Sequence, residues 1–158
     1  MPETYSRLWR HLEEKVIAYW HDVDFNWGRN AAEHYTPDGV FVSANARYEG
    51  REQISEFYAW REQRGPRVCV HLVGNFHLKS LTQDTAEAEW ICTLFARDGE
   101  APQPMALPAA ISRVEDSFVR VDDGNWLCRR RRWHTLFRGD TPVTRLDREE
   151  MRKRMGQR

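Results

Sequence analysis

Tyr5, Leu8, Trp9, Leu12, Val16, Tyr19 and Trp20 recur at steps of three and four residues, the spacing that gathers side chains on one face of an α-helix. This predicts an amphipathic helix over about residues 4–22 whose aromatic face must be buried. A short second helix is expected from Asn26, as its cap, to Tyr35, ended by the turn-forming run Thr36-Pro37-Asp38-Gly39. Val40-Phe41-Val42 then opens a strand. Ile54, Phe57, Tyr58 and Arg61 share one side of a third helix over 51–64, which Gly65-Pro66 terminates.

Beyond Pro66 the period becomes two, and long antiparallel strands are expected at about 67–74, 76–81, 85–97, 107–121 and 126–137. Thr82-Gln83-Asp84, Asp98-Gly99 and Asp122-Asp123-Gly124-Asn125 mark turns. Pro102, Pro104 and Pro108 mark a longer loop at a sheet edge. Helices first and strands afterwards give an α+β fold, one sheet curling around the helices. Val68-Cys69-Val70-His71-Leu72-Val73 is apolar on both faces. Such a strand is covered twice, by the helix layer and by a second subunit, so a homo-oligomer, a dimer or trimer, is expected. From Gly139 the chain is highly charged; Leu146, Met151 and Met155 fit a loose helix or an exposed arm.

The 158 residues suit one domain. With 41% hydrophobic and 12% aromatic residues there is material for a core or an apolar pocket, which excludes a disordered chain. Twenty-four basic residues balance 24 acidic ones, so the positive field expected of a nucleic-acid or membrane-surface binder is missing. No apolar run approaches the ~18 residues of a membrane span, and the first residues are too charged for a signal peptide. A cytoplasmic protein with neither nucleic-acid nor membrane partner is expected. Cys69, Cys92 and Cys128 are odd in number and contain no CxxC pair, the pattern of buried free thiols.

Phosphate-binding glycine loops, HExxH and GxSxG are all absent, so attention falls on ionisable residues set among apolar ones. His71 lies mid-strand between Val70 and Leu72. It reads as a core histidine satisfied by one partner, or as a general acid or base, for which an imidazole titrating near neutrality is suited. Asp22 and Asp24 follow the first helix; either caps the next helix, or points into a cavity and holds a histidine's tautomer. Period two sends Arg129 and Arg131 to one face and Arg130 and Arg132 to the other. One pair is then solvated or ion-paired and the other reaches a cavity, where a guanidinium binds a carboxylate or stabilises an enolate. Glu87, Glu89, Glu115 and Asp116 read as cross-strand partners of arginines. No metal site is expected, because the Gly74-Asn75 break leaves the relative facing of His71 and His77 open.

The order of Val23-Asp24-Phe25-Asn26-Trp27, Tyr35-Thr36-Pro37-Asp38-Gly39-Val40-Phe41 and Tyr48-Glu49-Gly50-Arg51-Glu52-Gln53-Ile54 resembles the SnoaL-like polyketide cyclase and dehydratase family, of the superfamily named after nuclear transport factor 2. The similarity continues through Val70-His71-Leu72-Val73-Gly74-Asn75, Glu115-Asp116-Ser117-Phe118-Val119-Arg120 and Gly124-Asn125-Trp126. The resemblance implies a cone-shaped α+β barrel, three N-terminal helices against a strongly bent antiparallel sheet around a central pocket. It implies one such domain over 1–138, followed by a charged tail over 139–158. Dehydratases of this superfamily use an aspartate at the end of the first helix and a histidine on the strand after the third, the positions of Asp24 and His71. The family arginine of the last strand falls on Arg131, or on Arg130 if the register slips, and Glu115 falls on a polar position facing the pocket. Scytalone-type dehydratases carry a tyrosine where Val23 stands and a second histidine where Trp90 stands.

The function implied is that of a lyase or isomerase without cofactor or metal, acting on a small hydrophobic, carbonyl-containing cyclic substrate. Asp24 orients His71, His71 moves the proton, Arg131 stabilises the oxyanion, and Trp20, Trp27, Phe57 and Trp90 form apolar walls with Glu115 as a polar contact. Two alternatives stand beside it. One is the non-catalytic small subunit of a ring-hydroxylating dioxygenase, whose last strand is similarly arginine-rich; the other is a carrier of a hydrophobic ligand.

Overall fold

Leu12, Val16, Tyr19, Trp20 and Val23 are buried along one side of helix α1 (Pro2–Phe25), which the apolar spacing predicted and which runs three residues further than expected. These positions come from a computed structural model that describes residues 2–140 and 146–156. Helix α2 (Gly50–Gln63) buries Ile54, Phe57, Tyr58 and Trp60. Gln53, in its first turn, reaches back to satisfy the backbone at its start, the side-chain oxygen accepting from Glu49 N at 2.8 Å.

No helix forms from Asn26 to Tyr35. The backbone turns at Trp27 and Gly28, with φ of 61° and 69°, and a single 3-10 turn follows at Ala31–His34. A Cβ on Gly28 would lie 2.5 Å from the Tyr58 ring, so only glycine lets this turn press against α2. Asn26 is no cap; its amide donates to Asp22 Oδ1 at 2.7 Å. Nor does Thr36–Gly39 end an element. It forms an irregular stretch inside strand β1 (Tyr35–Ser43), where the register slips between Tyr35 and Val40.

Strand β2 (Ala46–Glu49) pairs back on β1; β3 (Arg67–Leu81), β4 (Thr85–Asp98), β5 (Ala110–Arg120) and β6 (Trp126–Arg138) form a meander. The two strands expected at 67–74 and 76–81 are one. The order is β2-β1-β6-β5-β4-β3, an unclosed, curved sheet. The α+β class is as expected, and the sheet is mixed, since β1 runs parallel to β6 while every other pair is antiparallel. Hairpin turns dictate the direction of neighbours in the meander, whereas β1 meets β6 across the whole intervening chain. The third α-helix also lies elsewhere than the N-terminal half: α3 is Arg148–Met155, capped by Asp147, whose carboxylate accepts from Glu150 N. Its Met151 is fully buried in the main core, with Leu146 and Met155 packed against it. Among the described residues no helix is long and apolar enough to cross a membrane.

Two bulges decide which side chains face inward. In β3 the register shifts between Gly74 and His77 around Asn75, at φ 49°. Cys69 and Phe76 are therefore both buried although their parities differ, and His77 is turned to the exposed side. In β6 a residue is added between Cys128 and Arg130 opposite Ser117 and Phe118. The strict alternation predicted for the arginines thereby fails: Arg129, Arg130 and Arg132 are exposed and Arg131 is buried.

Candidate functional site

The C-terminal turn of α1 carries two aspartates with separate tasks. Asp22 organises the following loop, accepting from the side chains of Asn26 and Asn30 and from Asn30 N at 3.0 Å. Asp24 crosses instead to β3: its Oδ2 accepts from His71 N at 2.7 Å and its Oδ1 lies 2.6 Å from His71 Nδ1. Gripping ring and backbone of the same residue, the carboxylate fixes the imidazole plane. With Asp24 as acceptor, Nδ1 carries the hydrogen and Nε2 the lone pair.

Trp20, one turn earlier on α1, stacks on the imidazole at 4.1 Å between ring centroids and 19° between planes. Cys69, two residues before His71 and on the same face of β3, donates its thiol to Asp24 Oδ1 at 3.3 Å. Burial pushes this thiol up to about 12, helped by the neighbouring Asp24 charge. Both members of the Asp24–His71 pair are shielded, with side chains 4% and 6% exposed.

His71 and Trp20 line a cavity of about 90 Å³, well above the ~10–15 Å³ that one water needs. Phe57, Phe41 and Trp133 supply further aromatic walls. Tyr58 adds a hydroxyl that meets Tyr19 Oη at 2.5 Å. The charged residues on the lining are Arg61, Arg67 and Arg138; among the described residues no carboxylate lines it.

Of the predicted site residues, Asp24, His71, Trp20 and Phe57 thus converge. Four do not. Arg131 is sealed behind the aromatic layer, donating Nε and Nη2 to the two oxygens of Asp116, each at 2.8 Å, with its guanidinium 4.4 Å from the Tyr19 ring centre. Burial alone lowers the affinity of Arg131 for its proton, but Asp116 and the Tyr35 hydroxyl outweigh it and hold the guanidinium firmly charged. Arg130, the other register, is on the outer face. Glu115 also faces outward, 3.0 Å from His134 Nε2, because the parity of β5 turns Asp116 inward in its place. Trp90 is fully buried beneath the cavity, its Nε1 donating to Asp116 Oδ2 at 2.8 Å, so it is core and not wall. Trp27 lies with Asp24, Arg61 and Arg67 at a small side recess.

The residues missed were Tyr58, Cys69, Arg61 and Arg67. Cys69 had a visible signal, its two-residue spacing from His71; Arg67, at a strand start, had none. Asp24, Cys69 and His71 also hold one ligand atom each within 4.8 Å of one another, a grouping with metal-ligand chemistry. Arg61 and Arg67 share the side recess with Asp24 and Cys69, and their field opposes a dication there.

A curved mixed sheet over two long helices, with an Asp–His pair at an aromatic cavity, defines a protein of the nuclear transport factor 2-like class. Within that class the chain belongs to the SnoaL-like domain family, whose model matches residues 11–132. A Novosphingobium aromaticivorans protein provisionally named scytalone dehydratase is similar at a TM-score of 0.78 and 19% identity, over 93% of this chain and 96% of that one. ActVI-ORFA from Streptomyces coelicolor gives 0.70 and 18%, over 82% and 98%. A second N. aromaticivorans protein, provisionally named an aromatic ring hydroxylase, gives 0.68 and 21%, over 80% and 87%. At these identities the likeness establishes the fold. No curated protein matches the chain in sequence.

Proposed function

We propose that this protein is a lyase or isomerase, of the dehydratase or cyclase kind, acting without cofactor on a small hydrophobic cyclic substrate that bears a carbonyl. The observation that carries the reading is the His71 imidazole, held at an aromatic cavity by both oxygens of Asp24. Nε2 removes a proton from the carbon beside the carbonyl, leaving an enolate, and Asp24 stabilises the imidazolium so formed. The imidazolium then returns the proton, to a departing hydroxyl in a dehydration or to another carbon in an isomerisation. Charge gathering on the substrate oxygen meets Tyr58, whose partner Tyr19 lies against the Arg131 guanidinium. Arg131 thus acts through Tyr19 as a positioning residue, not at the substrate. The name of the scytalone dehydratase-like neighbour agrees with this chemistry.

The test is hydrogen–deuterium exchange at the acidic carbon of 2-tetralone, followed by NMR. The chain accelerates exchange, and His71→Ala lowers that acceleration roughly 10²–10⁴-fold with the circular dichroism spectrum unchanged. Equal exchange by folded His71→Ala and the parent refutes the proposal.

A second reading has one observation in its favour, the likeness to the protein provisionally named an aromatic ring hydroxylase. In it the chain is the non-catalytic small subunit of a ring-hydroxylating dioxygenase, and it co-purifies with a coloured iron protein. In either reading the exposed Val70 and Leu72 of β3 provide an apolar face for self-association.

A further inference from the structure

The cavity holds more positive charge than proton transfer requires. Arg61 from α2, Arg67 from the start of β3 and Arg138 from the end of β6 all line it, and no carboxylate among the described residues does. The chain has no net charge, so this is a local concentration and not a general basicity.

Asp24, which shares the side recess with Arg61 and Arg67, is absorbed by His71 and Cys69. Asp98 takes Arg67 Nη1 at 2.6 Å from outside and is shared with Arg64 at 3.5 Å. Arg67 remains under-satisfied. Its side chain is only 7% exposed, and its Nε is buried with no hydrogen-bond partner among the described residues. A buried guanidinium donor without an acceptor is costly. Arg61 has interactions of its own, yet burial and then the Arg67 charge both work against its protonated form. An anion between the two relieves both penalties, and a planar carboxylate matches the guanidinium fork.

The geometry points to an anion subsite at the Arg61–Arg67 end of the cavity, which selects substrates or products carrying a carboxylate beside the hydrophobic ring. This inference rests on the cavity being the working site, and it narrows the substrate class to carbonyl-bearing cyclic compounds that also carry a carboxylate. The aromatic walls take the ring, the arginines take the charge, and His71 meets the reacting carbon between them.

Calorimetric titration of the full chain with 2-naphthoate and with the neutral 2-naphthamide compares one ring with and without charge. Naphthoate binds at least roughly tenfold tighter, and the preference shrinks as salt is raised. Arg61→Met and Arg67→Met each reduce it at least roughly threefold, whereas Arg67→Lys keeps part of it. Because Arg67 also anchors Asp98, Arg61→Met decides the matter if Arg67→Met does not fold. Equal affinity for the two probes, no binding of either, or an undiminished preference in folded Arg61→Met overturns the subsite. His71→Ala separates this inference from the catalytic proposal. A variant that exchanges tetralone protons like the parent yet prefers naphthoate refutes proton transfer and keeps the subsite. Lost exchange in His71→Ala without any carboxylate preference in the parent does the reverse.

Discussion

Two aspartates face inward in this molecule, and each grips one partner with both oxygens. Asp24 holds His71 through Nδ1 at 2.6 Å and the backbone N at 2.7 Å; Asp116 holds Arg131 through two bonds of 2.8 Å. Burial hardly distinguishes them, since all four side chains are 6% exposed or less. What differs is the partner's chemistry and its neighbourhood. An imidazole exchanges a proton near neutrality and here borders a cavity. A guanidinium keeps its proton at any physiological pH, and this one is enclosed by Tyr19, Trp20, Tyr35 and Trp90. Similar geometry therefore yields a device for moving protons in one place and a fixed charge that orders aromatic rings in the other.

The sharpest way to break the comparison is to remove one partner of the sealed pair. Arg131→Met leaves Asp116 buried without its counter-ion and lowers the unfolding free energy by about 3–5 kcal/mol in urea titrations. The double variant Asp116→Leu/Arg131→Met recovers part of that loss, because both charges leave together. At the cavity pair the effect moves from stability to rate. Asp24→Asn no longer stabilises the imidazolium and reduces proton exchange by roughly 10²-fold or more, with a smaller loss of stability than Arg131→Met.

His34 reports on the Arg131 charge. Burial, then the Arg131 and Lys15 charges, lower it from 6.5 to about 4. The unfolded chain takes up this proton below pH 6.5 while the folded chain refuses it, so the contribution is complete above 6.5 and lost as pH falls towards 4. Melting temperatures measured from pH 4 to 7 rise with pH, and the slope flattens in His34→Gln. Arg131→Met flattens it in part, since one of the opposing charges is gone. The smallest effect is at Cys69. With its thiol near 12, iodoacetamide at pH 8 labels the unfolded chain and spares Cys69 in the native one. Asp24→Asn removes one of the charges holding the thiol neutral, and native labelling of Cys69 becomes faster.

The long apolar patterns were legible because they are local. Leu12, Val16, Tyr19 and Trp20 specify α1, Ile54, Phe57 and Tyr58 specify α2, and alternation specifies β3 to β6. The short helix after Asn26 was misread, because a four-residue 3-10 turn has no period to detect and the positive φ at Trp27 leaves no mark on a non-glycine residue. Asp24 and His71 were legible through family resemblance and through the oddity of a histidine inside an apolar strand. Their neighbours Tyr58 and Arg61, both on α2, and Arg67, at the start of β3, were not, because only the tertiary fold brings those two elements to one cavity.

By itself the sequence determined the α+β class, the two long helices and the strands of the meander in outline, the free state of Cys69, Cys92 and Cys128, and four residues of the candidate site, Asp24, His71, Trp20 and Phe57. Only the tertiary structure decided that Asp116 and not Glu115 faces inward, that Arg131 is locked away, and that three other arginines reach the cavity. The reason is physical. Burial periodicity is a property of neighbouring residues, but the phase of a strand is set by bulges that exist only against a partner strand, and a cavity wall is assembled from elements far apart in the chain.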